Sequence, residues 1–155
     1  MARRYFAQAS ILPAIPPRYS FSRMPQITLT RETPLSAAEA WSRITDWPRH
    51  GAFVPLTTVH VHGRRIVART GLGPVAFDDI MDITAWDPPH HCRLEKRGRL
   101  VQGWAEITIE EAGATTRVTW VEELHIRSLP RLFDPLVRKS AERMFSKLLD
   151  GLLTR

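Results

Sequence analysis

From Pro130 to Leu153 the chain reads PRLFDPLVRKSAERMFSKLLDGLL. Apolar residues fall at Leu132, Phe133, Leu136, Val137, Ala141, Met144, Phe145, Leu148, Leu149, Leu152 and Leu153. Spacing of three and four throughout is the mark of an amphipathic helix with one wide apolar face. Arg138, Lys139, Glu142, Arg143, Lys147 and Asp150 fall on the other face. Asp134 is placed to cap the helix, with Pro135 in the first helical position. At 1.5 Å per residue such a helix is roughly 28 Å long. Its apolar face has no ionisable residue, and Ser140 is the one polar interruption near it. A face of that size needs a large apolar partner, which the rest of the chain must supply.

The preceding hundred residues supply strands. In Gln26–Glu32, Ile27 and Leu29 alternate with threonines, which reads as a first strand. Ser36-Ala37-Ala38-Glu39 has the form of a capping box. A short helix follows through Trp41 and Ile44 and stops near Pro48, which disfavours helix at the residue before it. Residues 49–53 have room for one more helical turn. Beyond Pro55 the period becomes two, with strands expected at 57–62, 65–70, 75–86, 91–98, 101–111 and 115–126. Gly63, Gly71-Leu72-Gly73-Pro74, Asp87-Pro88-Pro89 and Ala112-Gly113-Ala114 supply the turns. Six successive strands on short connections make an antiparallel meander. The order is strand, one or two short helices, six strands, long helix: an α+β chain in which the helix can cover the concave face of a curved seven-stranded sheet.

That order, together with particular phrases, resembles a known superfamily. Asp46-Trp47-Pro48-Arg49-His50, Pro55-Leu56-Thr57, Thr70-Gly71-Leu72-Gly73-Pro74, Phe77-Asp78-Asp79-Ile80-Met81, Trp86-Asp87-Pro88-Pro89 and Trp120-Val121-Glu122-Glu123-Leu124 are similar to the wording of actinobacterial SRPBCC proteins. These belong to the START-like, or Bet v 1-like, helix-grip superfamily, which includes polyketide cyclase/dehydrase proteins and lipid-transfer domains. The resemblance covers residues 26–155. It implies a cavity between the sheet and the long helix, and with it a small, mainly hydrophobic ligand of lipid or polyketide type. It implies no cofactor.

Composition narrows the remaining choices. Hydrophobic residues make up 43% and charged residues 25% of the 155, as in an ordinary single globular domain. The net charge of +6 suggests nucleic acid until it is located. Arg3, Arg4, Arg18 and Arg23 stand without an acid in residues 1–25 and account for +4, leaving +2 for the other 130 residues. Residues 1–25 read as a disordered basic extension and residues 26–155 as the domain, with no nucleic-acid partner expected. The extension resembles a secretory leader only weakly, since Gln8, Ser10 and Pro13 break its apolar run, and Met24 is a second candidate start. Cys92 is the single cysteine, which excludes an intrachain disulfide and suits a reducing cytoplasm. No apolar run reaches the eighteen or so residues of a membrane span.

Candidate site residues follow from alternation. In the last strand Val118, Trp120, Glu122, Leu124 and Ile126 share a face, which puts Glu122 inside an apolar chamber if that face is concave. An ionised, unpaired carboxylate there is costly, so a partner such as Arg97 or Arg69, a hydrogen bond or a proton is required. Phe77, Asp79, Met81 and Ile83 share a face likewise, unless a bulge at Asp78-Asp79 reverses it. Asp79 and Glu122 are therefore the candidates for general acid or base chemistry, or for orienting a ligand. Phe77, Met81, Trp120 and Leu124 are expected to line the cavity from the sheet side, and Phe53 is expected to line it as well. Val137, Ala141, Met144 and Phe145 are expected to line it from the helix. Trp41, Trp47, Trp86 and Trp104 are assigned to the core.

Three other patterns are set aside. His60 and His62 share a strand face, but Val59 and Val61 claim the apolar side, so no metal site is expected. Gly71-x-Gly73-x-x-Ala76 lacks the helix that a dinucleotide fingerprint requires. Cys92 has no sign of activation and reads as a buried thiol. Three functions stay open: ligand binding, a cyclase or dehydrase acting through an in-cavity carboxylate, and an interaction module with a closed core. Oligomeric state is left unassigned.

Overall fold

The computed structural model describes residues 26–154; the expected basic extension, residues 1–25, lies outside them. β1 (Gln26–Thr33) is followed by α1 (Ala37–Ile44) and the single turn α2 (Trp47–His50). Then come β2 (Thr57–His62), β3 (Arg65–Thr70), β4 (Phe77–Asp87), β5 (His91–Arg97), β6 (Val101–Ala112) and β7 (Thr115–Ile126). α3 (Asp134–Thr154) closes the chain. One antiparallel seven-stranded sheet runs in the order β1-β7-β6-β5-β4-β3-β2, so α1 and α2 carry the chain from one edge of the sheet to the other. This is the helix-grip arrangement that the sequence pattern predicts.

The local reasons are visible. Ser36 accepts a hydrogen bond from the Glu39 amide while Glu39 reaches back to the Ser36 amide, so the capping box fixes the start of α1. Ala37, Ala40, Trp41 and Ile44 of α1 are buried. The β2–β3 hairpin turns at Gly63, whose φ of +60° suits glycine. Two expected boundaries shift. β4 starts at Phe77 rather than Val75, because Gly73–Val75 forms a 3₁₀ turn and Val75 is left 79% exposed. Asp134 has helical dihedrals (φ −51°, ψ −41°), so it is the first residue of α3 rather than its cap. A 3₁₀ turn over Arg131–Phe133 feeds directly into it.

α3 is unevenly seated. Leu148, Leu149, Leu152 and Leu153 are buried beneath its second half. There Arg31 of β1 reaches Asp150 at 2.6 Å and Ser146 at 2.5 Å. In the first half Leu136 is 64% exposed, and Val137, Met144 and Phe145 are only half-buried. The apolar face is therefore closely packed under the C-terminal half. Under the first half, where Ala141 is buried and Val137 only partly so, the packing opens into a cavity.

The outer face of the sheet is polar. Arg65 pairs with Asp82 at 2.8 Å and Arg69 with Asp78 at 3.0 Å. His91 lies 2.8 Å from Glu106. Arg93 lies 4.3 Å above the centre of the Trp104 ring, so Trp104 belongs to this outer face and not to the core. Trp86 also departs from the core assignment. It packs edge-on against Trp41 at 4.8 Å but is 42% exposed near the end of β4. Trp41 and Trp47 are buried as expected. His60 and His62 point away from the apolar side and are exposed.

Candidate functional site

A cavity of about 480 Å³ lies between the concave face of the sheet and α3. Its walls alternate residue by residue as strand geometry requires. Phe77, Asp79 and Met81 come from β4, and Trp120, Glu122, Leu124 and Ile126 from β7. α3 supplies Val137, Ser140, Ala141, Met144 and Phe145, with Leu136 at the rim. Because Leu136 and Ser140 line the cavity while remaining exposed, it opens to solvent beside the first turns of α3.

The register irregularity of β4 falls between Ile83 and Ala85, not at Asp78-Asp79, so Asp79 keeps its concave orientation. Asp79 and Glu122 come from strands three places apart, and a lysine joins them. Lys96 of β5 stands opposite Met81 of β4, two residues from Asp79. Its ammonium donates to Asp79 Oδ2 at 2.7 Å and to Met81 Sδ at 3.6 Å. It also lies 3.2 Å from Glu122 Oε1. The last approach crosses β6, and the register explains how. Lys96 is paired with Gly103, which is paired with Leu124; Ala105 stands between Leu94 and Glu122. A residue with no side chain and one with a single carbon leave the space above β6 clear for the ion pair. Gly103 also has a φ of +138°, and a Cβ there would strike the carbonyl oxygen of Glu123.

This cluster is buried. The Lys96 side chain is 4% exposed and that of Glu122 is 1%, while Asp79 keeps 17%. Glu122 Oε2 accepts a hydrogen bond from the Trp120 indole at 3.0 Å. Glu122 Oε1 is close enough to Lys96 for electrostatic attraction, but the ammonium is not aligned to donate to it. Oε1 and Asp79 Oδ1 are consequently buried acceptors without a hydrogen bond among the described residues. Burial pushes the Glu122 carboxyl above its ordinary value; the Lys96 charge opposes this and the Asp79 charge adds to it. For Lys96, burial favours the neutral amine, yet the two carboxylates outweigh it and hold the ammonium firmly charged.

Aromatic rings continue the wall. Trp120 lies 5.7 Å from Phe145 and 6.0 Å from His50, which is 5.2 Å from Trp47. His50 Nε2 is 2.8 Å from the Ile44 carbonyl, which can only accept, so that nitrogen carries the proton. Burial pushes the His50 imidazolium below its ordinary value, outweighing the Ile44 carbonyl and Asp46.

Of the residues named from the sequence, Asp79, Glu122, Phe77, Met81, Trp120, Leu124, Val137, Ala141, Met144 and Phe145 meet at this one cavity. Phe53 does not. Beyond α2 the chain turns its ring onto Gly151 of α3, where a Cβ would collide with it, and Val54 takes the place at the cavity. Lys96 and His50 escaped the sequence reading. The signal for Lys96 was available: Cys92, Leu94 and Lys96 alternate on one face of β5, and the first two are buried. The arginines proposed as partners for Glu122 lie elsewhere, Arg69 on Asp78 and Arg97 exposed at the end of β5. Among the described residues no three His, Cys, Asp or Glu side chains gather as a metal site, and no helix is long and apolar enough to cross a membrane.

The fold recurs in solved structures. A START superfamily protein of Mycobacterium smegmatis superposes with a TM-score of 0.66 at 14% identity, over 83% of this chain and 96% of that one. A protein of Thermus thermophilus gives 0.65 at 20% identity, over 83% and 94%. The XoxI protein of Bacillus cereus gives 0.66 at 15% identity, over 84% and 94%. At such identities the likeness is one of fold alone. No curated protein sequence matches the chain. The sequence profile of the family described as "Polyketide cyclase / dehydrase and lipid transport" matches residues 24–155. That match covers most of the chain, and the chain belongs to this family.

Proposed function

We propose that the chain binds a small, mainly apolar molecule, lipid- or polyketide-like, in the cavity between the sheet and α3. The observation that carries this reading is the cavity itself. At about 480 Å³ it lies within the range of small-molecule sites, roughly 300–1,000 Å³, and its apolar walls converge on one polar cluster. Apolar burial at about 25 cal/mol per Å² supplies affinity, and the cluster supplies orientation. An open cavity of this size also favours ligand binding over an interaction module with a closed core. The buried thiol of Cys92 supports a reducing, cytoplasmic setting. Pairing of Arg65 and Arg69 with acids on the outer face supports a small-molecule partner over nucleic acid.

A cyclase or dehydrase is the second reading. It is favoured by Glu122, whose carboxyl is pushed upward by burial beside the cavity, as a general acid requires. In this reading Glu122 moves the proton and Asp79 sets the charge of Lys96.

Native mass spectrometry of the protein purified from its own host tests the first reading. A retained small molecule supports it and identifies the ligand's class, whereas apo protein in repeated preparations counts against tight binding. Glu122→Gln separates the two readings. Loss of turnover with binding retained marks an enzyme, and weakened binding alone marks a carrier.

A further inference from the structure

The geometry points to a ligand whose polar end donates hydrogen bonds and bears no negative charge: a hydroxyl or an ammonium on an apolar body, seated on Asp79 and Glu122. This inference rests on the ligand-binding reading above and adds the chemistry of the head group.

Two carboxylates bring four oxygens to the inner end of the cavity. The Trp120 indole satisfies Glu122 Oε2 and the Lys96 ammonium satisfies Asp79 Oδ2. Glu122 Oε1 and Asp79 Oδ1 are left without a donor among the described residues. Buried acceptors in that state are unfavourable, and each is relieved by an added donor. At this cluster an added acceptor finds no free donor, because the Lys96 ammonium is already hydrogen-bonded to Asp79 Oδ2 and Met81 Sδ and ion-paired with Glu122. Charge runs the same way. One ammonium stands against two carboxyl groups, so whether or not Glu122 holds a proton the cluster has no spare positive charge to receive a carboxylate or phosphate head in an apolar site. A cationic or neutral donor needs none. Asp79 lies on an inner strand and faces the cavity with its side chain 17% exposed, while Oδ1 itself is buried, so a head group reaches that oxygen by a turn of the Asp79 carboxylate.

Matched ligands that differ only in the head group provide the test. The full-length protein is loaded with the neutral dye Nile red, and 1-decanol, decylamine and decanoate compete for it at pH 7.5. Tryptophan emission, to which Trp47 and Trp120 at the cavity contribute, gives a second readout. The alcohol and the amine are expected to bind about tenfold or more tightly than the carboxylate, the difference that a hydrogen bond to a charged group supports. Asp79→Asn and Glu122→Gln should narrow the gap between decylamine and decanoate. Equal affinities for all three, or a preference for decanoate, overturn the head-group assignment while leaving cavity binding intact. If neither the dye nor any of the three binds, the ligand-binding reading fails and this inference falls with it.

Discussion

Lys96→Met removes the charge that lies 2.7 Å from Asp79 and 3.2 Å from Glu122, while keeping an unbranched chain of similar length. Glu122, 1% exposed, then has no cation beside it. Its least unfavourable escape is to take up a proton. For a carboxyl with an ordinary pKa of 4.5, keeping the proton at pH 7 spans 7 − 4.5 = 2.5 pH units. At 1.36 kcal/mol per unit this costs about 3.4 kcal/mol, and at pH 5 only about 0.7 kcal/mol. The figure for pH 7 agrees with the ~3–5 kcal/mol typical of removing one member of a buried ion pair. The sign follows from the direction of the shift. A carboxyl raised in the folded state favours folding below its unfolded pKa, and that contribution is lost as pH rises through the folded value. The wild type already bears part of this cost, because its own Glu122 carboxyl is raised, so urea unfolding followed by tryptophan emission should show a deficit of up to about 3 kcal/mol at pH 7 that shrinks below about 1 kcal/mol at pH 5. Adding Glu122→Gln should abolish its pH dependence. A variant as stable as the wild type at pH 7, or with a deficit constant from pH 5 to pH 7, would refute the reasoning.

His50, depressed by burial, contributes stability that is present above its ordinary 6.5 and is lost as pH falls through its lower folded value. The thermal midpoint should drop on acidification below pH 6.5, and drop less in His50→Gln; parallel curves would contradict this. Burial, followed by the nearby charge of Glu106, pushes the Cys92 thiol up to about 12. A thiol reagent at pH 8 should label it only after denaturation, and rapid labelling of native protein would count against a sealed core around it. Gly151→Ala should destabilise by about 1–3 kcal/mol despite alanine's better helix propensity, because the new methyl meets the Phe53 ring. Combined with Phe53→Leu the loss should be less than additive in urea unfolding, and strict additivity would place the collision elsewhere.

The fold was legible because its signals are local. β2, β3 and β7 have the limits that alternation and turn residues predict, and Ser36 with Glu39 caps α1 as written. Errors arose where a local pattern permits two structures. Val75 reads as strand until Pro74 is held in a 3₁₀ turn. Phe53 reads as a wall residue until Gly151 offers its ring a flat seat. At the site, alternation alone puts Asp79 and Glu122 on the concave face. What it cannot supply is register across strands. Lys96 sits in a charged run before Gly98 and looks like a solvated strand end. Only the alignment of Gly103 and Ala105 between β5 and β7 reveals that nothing stands between it and Glu122.

The uneven seating of α3 divides one helix between two selective pressures. Substitutions at Leu148, Leu149, Leu152 or Leu153 act on the fold, because these side chains are buried in it. Substitutions at Leu136, Val137, Ser140 or Met144 border open space, so they change the shape of the chamber with little loss of packing. Preference for one ligand over another can therefore drift in the first three turns while the last two keep the protein folded. If the proposed ligand binding holds, an evolving lineage can exchange one ligand for another without first acquiring extra stability.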